Sequence, residues 1–146
     1  MLILAATPIG NLGDASKRLA DAFATADLIV AEDTRVTKKL LSRLEIQHHA
    51  RFVVANEHSE DDVIEQALKT SLSADVLFVS DAGMPGISDP GYALGKAARD
   101  ANVPLSIIPG PSSGISALAV SGLPTDRFVH EGFIPRKGRK TYFESL

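Results

Sequence analysis

The sequence predicts an α/β protein built on a five-stranded, parallel, doubly wound sheet, and three observations carry that prediction. Five short apolar runs alternate with stretches whose apolar residues recur at helical spacing. The fourth and fifth runs lead directly into segments of glycine, proline and small polar residues, the signal for a connection leaving a strand end. No internal repeat or low-complexity tract interrupts the alternation. Strands separated by helices are joined by crossovers, which leave the strands parallel and the helices on the sheet faces.

The first run, residues 2–6, reads as a buried strand. A helix over residues 15–25 follows, with Leu19, Ala22, Phe23 and Ala26 on one face and Asp14 as its expected N-cap. Residues 28–31 form the second strand and lead through Glu32-Asp33-Thr34 into a helix with an apolar stripe of Val36, Leu40, Leu41 and Leu44; Lys38, Lys39 and Arg43 point outward. The third strand is 51–54. Ser59 with Asp62 resembles an N-cap and its acidic partner, opening a helix that buries Ile64, Ala67, Leu68 and Leu72. Residues 75–79 are the fourth strand. Asp89-Pro90 suits a helix start, so 91–101 is expected to be helical, and 105–108 is the fifth strand. Another helix begins near Ile115 and stops at Gly122-Leu123-Pro124. Residues 127–133 then read as a strand, residues 136–140 as a loop, and 141–146 as the start of an amphipathic segment carrying Tyr142, Phe143 and Leu146. These patterns predict a first domain over 1–121, a linker at 122–126 and the beginning of a second domain at 127–146, incomplete by itself.

With 146 residues, 45% of them hydrophobic, the chain can build a proper core, which argues against a disordered or fibrous protein. It has no cysteine, so disulfide frameworks and thiolate metal sites are excluded and a cytoplasmic setting is expected. No apolar run approaches the roughly 18 residues of a membrane span. The net charge of −3 argues against nonspecific polyanion binding by the whole surface, yet Arg136, Lys137, Arg139 and Lys140 crowd one short segment. A contact with nucleic acid should therefore be local. His48, His49 and His58 lack metal-ligand spacing, and no metal is expected.

The most informative segment is SDAGMPGISDPG, from Ser80 to Gly91, immediately after the fourth strand. Three glycines and two prolines in twelve residues exclude regular structure, and a simple turn needs only about four residues. Loops at the carboxyl ends of parallel strands are where open α/β sheets bind small molecules. Neither G-x-G-x-x-G nor G-x-x-x-x-G-K-[ST] occurs, which argues against an ordinary dinucleotide fold or a P-loop. Glu32-Asp33-Thr34-Arg35 puts two carboxylates and a guanidinium at the end of the second strand. Helix capping by Asp33 or Thr34 accounts for part of that pattern.

Six segments occur together in order: ATPIGNLGD, AEDTR, SDAGMPGISDPG, PGPSS, SGLP and GFIPRKGRK. On these the chain resembles the tetrapyrrole methylase superfamily, the class III S-adenosylmethionine-dependent methyltransferases. More narrowly it is similar to the branch that methylates small-subunit ribosomal RNA at a ribose 2′-oxygen. The resemblance implies two α/β domains with the donor bound between them, a homodimer, and a cytidine in the decoding region of 16S ribosomal RNA, within the 30S subunit, as acceptor. It also implies S-adenosyl-L-methionine binding by Asp81, Ala82, Gly83, Met84, Pro85, Ile87, Ser88 and Asp89, with Ser112 and Ser113 contributing after the fifth strand. Met84 departs from the small polar residue expected there.

Methyl transfer from a sulfonium is an in-line displacement, served by proximity and orientation, and needs no metal or covalent nucleophile. A ribose hydroxyl is a weak nucleophile, so a general base or a stabilising cation is expected. Glu32, Asp33 and Asp81 come first as catalytic candidates, with His58 and Lys137 behind them. Arg35, Arg136, Lys137, Arg139 and Lys140 are the expected RNA contacts. Two alternatives stay open: a tetrapyrrole C-methyltransferase, and an inactive half that binds donor or dimerises.

Overall fold

The computed structural model describes residues 1–55, 60–88 and 90–146, residue 60 by its backbone alone. Its first compact unit, Met1–Ser113, contains the whole sheet. Strands β1 (Leu2–Ala5), β2 (Leu28–Ala31), β3 (Arg51–Val54), β4 (Val76–Val79) and β5 (Leu105–Ile108) are all parallel, in the order β3-β2-β4-β1-β5. Helices α1 (Lys17–Thr25), α2 (Thr34–Arg43), α3 (Glu60–Ser71) and α4 (Tyr92–Asp100) connect them in turn. The expected five-stranded parallel sheet is thus the observed one, each strand within one residue of its predicted ends.

Successive residues along the strands feed two separate cores. Ala5, Ile29, Ala31, Leu77, Val79 and Ile108 pack with Leu19 and Phe23 of α1 and Leu41 of α2. Leu2, Leu28, Val30, Val76 and Phe78 pack with Val63 and Ala67 of α3 and Leu94 and Ala98 of α4. Packing on both faces is why the inner strands β1, β2 and β4 are unbroken apolar runs instead of apolar–polar alternations. All four residues of β2 and of β4 are buried, whereas the edge strand β3 is half-exposed. Phe23 is fully buried, worth roughly 1.5–3 kcal/mol of hydrophobic stabilisation.

The strand order fixes where a site can form. From β1 to β2 and from β2 to β3 the chain moves toward one edge, with α1 and α2 on one face. From β3 to β4 and from β4 to β5 it moves the opposite way, with α3 and α4 on the other face. Neighbouring strands β2 and β4 therefore send their connections in opposite directions, and a crevice opens above their carboxyl ends.

Several local expectations are corrected. Asp14 does not cap α1: Asn11 accepts from the Gly13 amide at 2.9 Å and caps a 3-10 turn, Leu12–Asp14, so α1 starts after Ser16, whose Oγ accepts from the Leu19 amide at 3.1 Å. Val36 is exposed, and Thr37 is buried beside it, with Oγ1 donating to the Asp33 carbonyl. Leu72 lies beyond the end of α3 and is exposed. Ser59, the expected cap of α3, is outside the described residues.

The second compact unit is Gly114–Leu146. The division falls after Ser113, so all but the first residue of helix α5 (Ser113–Val120) lies in this unit, which also contains α6 (Arg139–Glu144). Residues 127–133 form no strand. A strand exists only as part of a ladder, and the described residues of this unit offer no partner edge. Arg139 and Lys140, expected in a loop, begin α6.

Candidate functional site

At the carboxyl edge the loops after β1 and β4 are joined. Thr7 and Gly83 exchange backbone hydrogen bonds of 2.9 and 3.1 Å in an isolated antiparallel bridge. Thr7 Oγ1 donates to the Ser80 carbonyl and Ser80 Oγ to the Gly83 carbonyl, each at 3.3 Å, and both side chains are buried. Gly83 has φ +89°, and a Cβ there would stand 3.3 Å from Ile9 Cγ2. Both facts favour glycine. At the far end the Gly86 amide donates to the Pro90 carbonyl at 3.1 Å. Gly91 has φ +126°, and its Cβ would lie 2.8 Å from Phe78 Cε1, inside the packed sheet.

Between these anchors the loop presents its middle to solvent. Ala82, Ile87 and Ser88 are exposed, Met84 is half-buried and Pro85 is buried. Ser88 adopts φ +62°, a left-handed conformation uncommon for a residue with a side chain. Asp89 and His58 lie outside the described residues. Ser112 is half-buried and Ser113 exposed at the start of α5, following β5.

The three carboxylates nominated from sequence meet at the crevice between β2 and β4. The Asp81 amide donates to Glu32 Oε2 at 3.1 Å, and the Asp33 amide donates to Asp81 Oδ1 at 3.1 Å. The two strand ends are therefore clasped by reciprocal side chain to backbone bonds. Asp33 itself turns to α2, capping it by accepting from the Arg35 amide at 2.8 Å and pairing with Arg35 Nη2 at 2.6 Å. The Arg35 side-chain and amide hydrogen bonds lower its pKa from 3.8 to about 2. Asp81 moves the other way, because partial burial and the neighbouring Glu32 charge raise its pKa. Two aspartates at one strand edge thus differ in basicity: Asp33 is committed to a cap and an ion pair, and Asp81 is the better proton acceptor.

A cleft of about 290 Å³ lies beside Asp81, lined by Pro8, Gly10, Leu12, Val36, Lys39, Leu40 and Arg43 as well. Gly10 has φ +142° and nothing within 4 Å of where a Cβ would sit, so its lack of a side chain leaves the backbone open to a bound group. Gly10, Lys39 and Arg43 are the residues sequence reasoning missed. Gly10 stands in a segment that also reads as a turn and a helix cap, and the two cations read as an outward face. Helical spacing alone gives no sign that a loop from another strand packs opposite them.

In the second unit Arg136 and Lys137 lie in irregular backbone and Arg139 and Lys140 in the first turn of α6. Lys140 Nζ is 3.8 Å from Glu144. Among the described residues no group of three or more His, Asp or Glu side chains is arranged to hold a metal ion, and no helix is long and apolar enough to cross a membrane.

Comparison with known proteins agrees with this architecture. Residues 1–144 match the family of Tetrapyrrole (Corrin/Porphyrin) Methylases. The chain is 50% identical over 143 residues to Ribosomal RNA small subunit methyltransferase I of Mycobacterium tuberculosis (strain ATCC 25618 / H37Rv), covering 94% of this chain and 48% of that protein. The protein of that name from Xylella fastidiosa is 47% identical over 137 residues, covering 93% of this chain and 50% of the relative. The one from Escherichia coli O157:H7 is 42% identical over 139 residues, covering 94% and 48%. The chain spans about half the length of the curated relatives it matches. Among solved structures it is similar to uroporphyrin-III-C-methyltransferase from Thermus thermophilus, with a TM-score of 0.61 at 17% identity, covering 86% of this chain and 53% of that one. That last likeness concerns the fold alone.

Proposed function

The chain belongs to the tetrapyrrole methylase family, and from that premise we propose that it is part of an S-adenosylmethionine-dependent methyltransferase acting on small-subunit ribosomal RNA. The acceptor we assign is the 2′-oxygen of a cytidine in the decoding region of 16S RNA, presented within the 30S subunit. The observation that carries this reading is the 42% to 50% identity, across nearly the whole chain, to relatives that all bear a ribosomal RNA methyltransferase name. Likeness to a tetrapyrrole enzyme stands at 17% identity and extends to the fold.

The residues present fit a donor of this kind. The loop of Asp81, Ala82, Gly83, Met84, Pro85, Ile87, Ser88 and Asp89, with Ser112 and Ser113, is where we place donor contacts, and Gly83, at φ +89° and bridged to Thr7, keeps the backbone there free of a side chain. Bound S-adenosylmethionine supplies a methyl group on a sulfonium leaving group. Asp81 is the proton acceptor in this reading: Oδ1 is held by the Asp33 amide, and Oδ2 has no donor among the described residues. Glu32 fixes the Asp81 backbone, and Asp33 positions Arg35. Arg35, Arg136, Lys137, Arg139 and Lys140 are proposed to contact RNA phosphates. A homodimer in the cytoplasm completes the proposal.

The test is transfer of labelled methyl from S-adenosylmethionine to 30S particles lacking the ribose modification, using the chain in its full natural length. Label recovered in an alkali-resistant cytidine dinucleotide of 16S RNA is expected. Label confined to a base, or transferred only to a tetrapyrrole, overturns the reading.

A further inference from the structure

Helix α2 carries Arg35, Lys38, Lys39 and Arg43 and no acidic residue. Three other helices treat their lysines differently: Lys17 of α1 pairs with Asp21, Lys96 of α4 with Asp100, and Lys140 of α6 with Glu144, each four residues on. Such pairing is the usual way to solubilise a helix surface. On α2 two cations are engaged. Arg35 is bound by Asp33, and Lys38 Nζ sits 5.0 Å from the centre of the Phe52 ring. Lys39 and Arg43 pair with no carboxylate among the described residues, are one helical turn apart, and both line the cleft that reaches Asp81.

We propose that Lys39 and Arg43 form a phosphate-binding wall for single-stranded RNA, running along α2 toward the crevice. The proposal rests on the RNA methylation reading above and adds a surface to it. Arg35, the α2 cation that sequence alone nominates, already shares its charge with Asp33; Lys39 and Arg43, with no carboxylate partner among the described residues, lie further along the same face. Their separation of one turn is comparable with that of successive phosphates in a single strand, and the apolar lining of Pro8, Leu12 and Leu40 offers a surface for a sugar or base between them. The favourable position of Arg43 in the last turn of α2 accounts for its charge there but not for Lys39.

The experiment is fluorescence anisotropy of a labelled single-stranded fragment of 16S RNA titrated with this chain over a range of salt. Lys39→Gln/Arg43→Gln should reduce the slope of log K against log salt by about 1.4 and weaken low-salt binding roughly ten-fold. Lys38→Gln, one residue away and off the cleft, should change the slope little. The charge-preserving pair Lys39→Arg/Arg43→Lys should restore binding, which separates charge from damage to the fold. A wild-type slope in the neutral pair, or an equal loss from Lys38→Gln, overturns the proposed wall and leaves the function standing if wild-type protein binds RNA. Absence of RNA binding by the wild-type chain at low salt also overturns the wall, while the methylation reading is decided separately by methyl transfer to 30S particles.

Discussion

Glu32 and Asp81, 49 residues apart in the chain, are joined across the β2–β4 crevice by a 3.1 Å hydrogen bond from the Asp81 amide to Glu32 Oε2. Asp81 returns the contact by accepting from the Asp33 amide. The clasp holds two diverging connections at a fixed separation, so it is a structural device as well as a candidate for chemistry. Replacing Asp81 by Ala leaves the half-buried Asp33 amide without its acceptor and should cost about 1–2 kcal/mol in a urea melt. Asp81→Asn keeps an acceptor oxygen and should be nearly neutral for stability while abolishing methyl transfer. Equal stability loss in the two variants would remove the clasp from the account.

Asp33 and Asp81 should leave opposite signatures on stability in acid. The folded pKa of Asp33 is lowered from 3.8 to about 2, so its contribution is present above pH 3.8 and is lost as pH falls through about 2. Asp81 is raised, so the fold favours its protonated form, and stability from this group declines as pH rises through the interval above the ordinary aspartate value. Denaturation from pH 2 to 6 should therefore show a weaker acid loss in Asp33→Asn and a steeper rise with pH in Asp81→Asn. Carboxyl carbon shifts followed by NMR check the two directions independently.

Two glycines of positive φ should respond differently to alanine. Gly91→Ala drives a Cβ to 2.8 Å from Phe78 Cε1 at φ +126°, adding overpacking to backbone strain, and should cost about 2–4 kcal/mol. Gly10→Ala meets nothing within 4 Å and should cost only the strain, about 1–2 kcal/mol. RNA affinity should reverse the ranking per unit of lost stability, since Gly10 lines the cleft of Lys39 and Arg43 and Gly91 does not. Thermal melts beside titration calorimetry decide it.

The donor loop itself is tested by Gly83→Val. A branched side chain at φ +89° and 3.3 Å from Ile9 Cγ2 should disrupt the Thr7–Gly83 bridge and weaken S-adenosylmethionine binding at least ten-fold. Unchanged donor affinity in a folded variant would move the site elsewhere.

In the second unit, Arg136→Gln/Lys137→Gln should lower the salt slope for RNA by about one to two units and leave donor affinity unaltered. These two are the better choice because Lys140 already has Glu144 within 3.8 Å.

The three inner strands were legible in the sequence because packing on both faces of the sheet makes β1, β2 and β4 unbroken apolar runs with sharp ends; the edge strands β3 and β5, which carry Arg51 and Ser106, were legible from their place between helical patterns. Helix starts were less so: Asp14 and Ser16 are equally good caps by type, and only the Asn11-capped turn between them decides for Ser16. The stretch 127–133 has the composition of a strand, but pairing needs a second edge, which composition does not report. Glu32, Asp33 and Asp81 could be nominated by their places after strands. Their mutual bonds could not, since these depend on β4 lying between β2 and β1, a nonlocal fact. Lys39 and Arg43 illustrate the same limit, because a helical face shows its charges and conceals what packs opposite.

Leu2 aligns with Val76 and Leu105, Val76 with Leu28, and Leu28 with Arg51, so all five strands rise in step and finish level at Ala5, Ala31, Val54, Val79 and Ile108. The sheet thus works as a workbench with a straight front edge. Lengthening a loop refits the tools without disturbing the bench, while one residue added inside a strand would lift that loop by about 3.3 Å and swap the faces of every side chain beyond it. Variation in acceptor chemistry on this scaffold should therefore be found in loop length and loop composition, with strand lengths held constant.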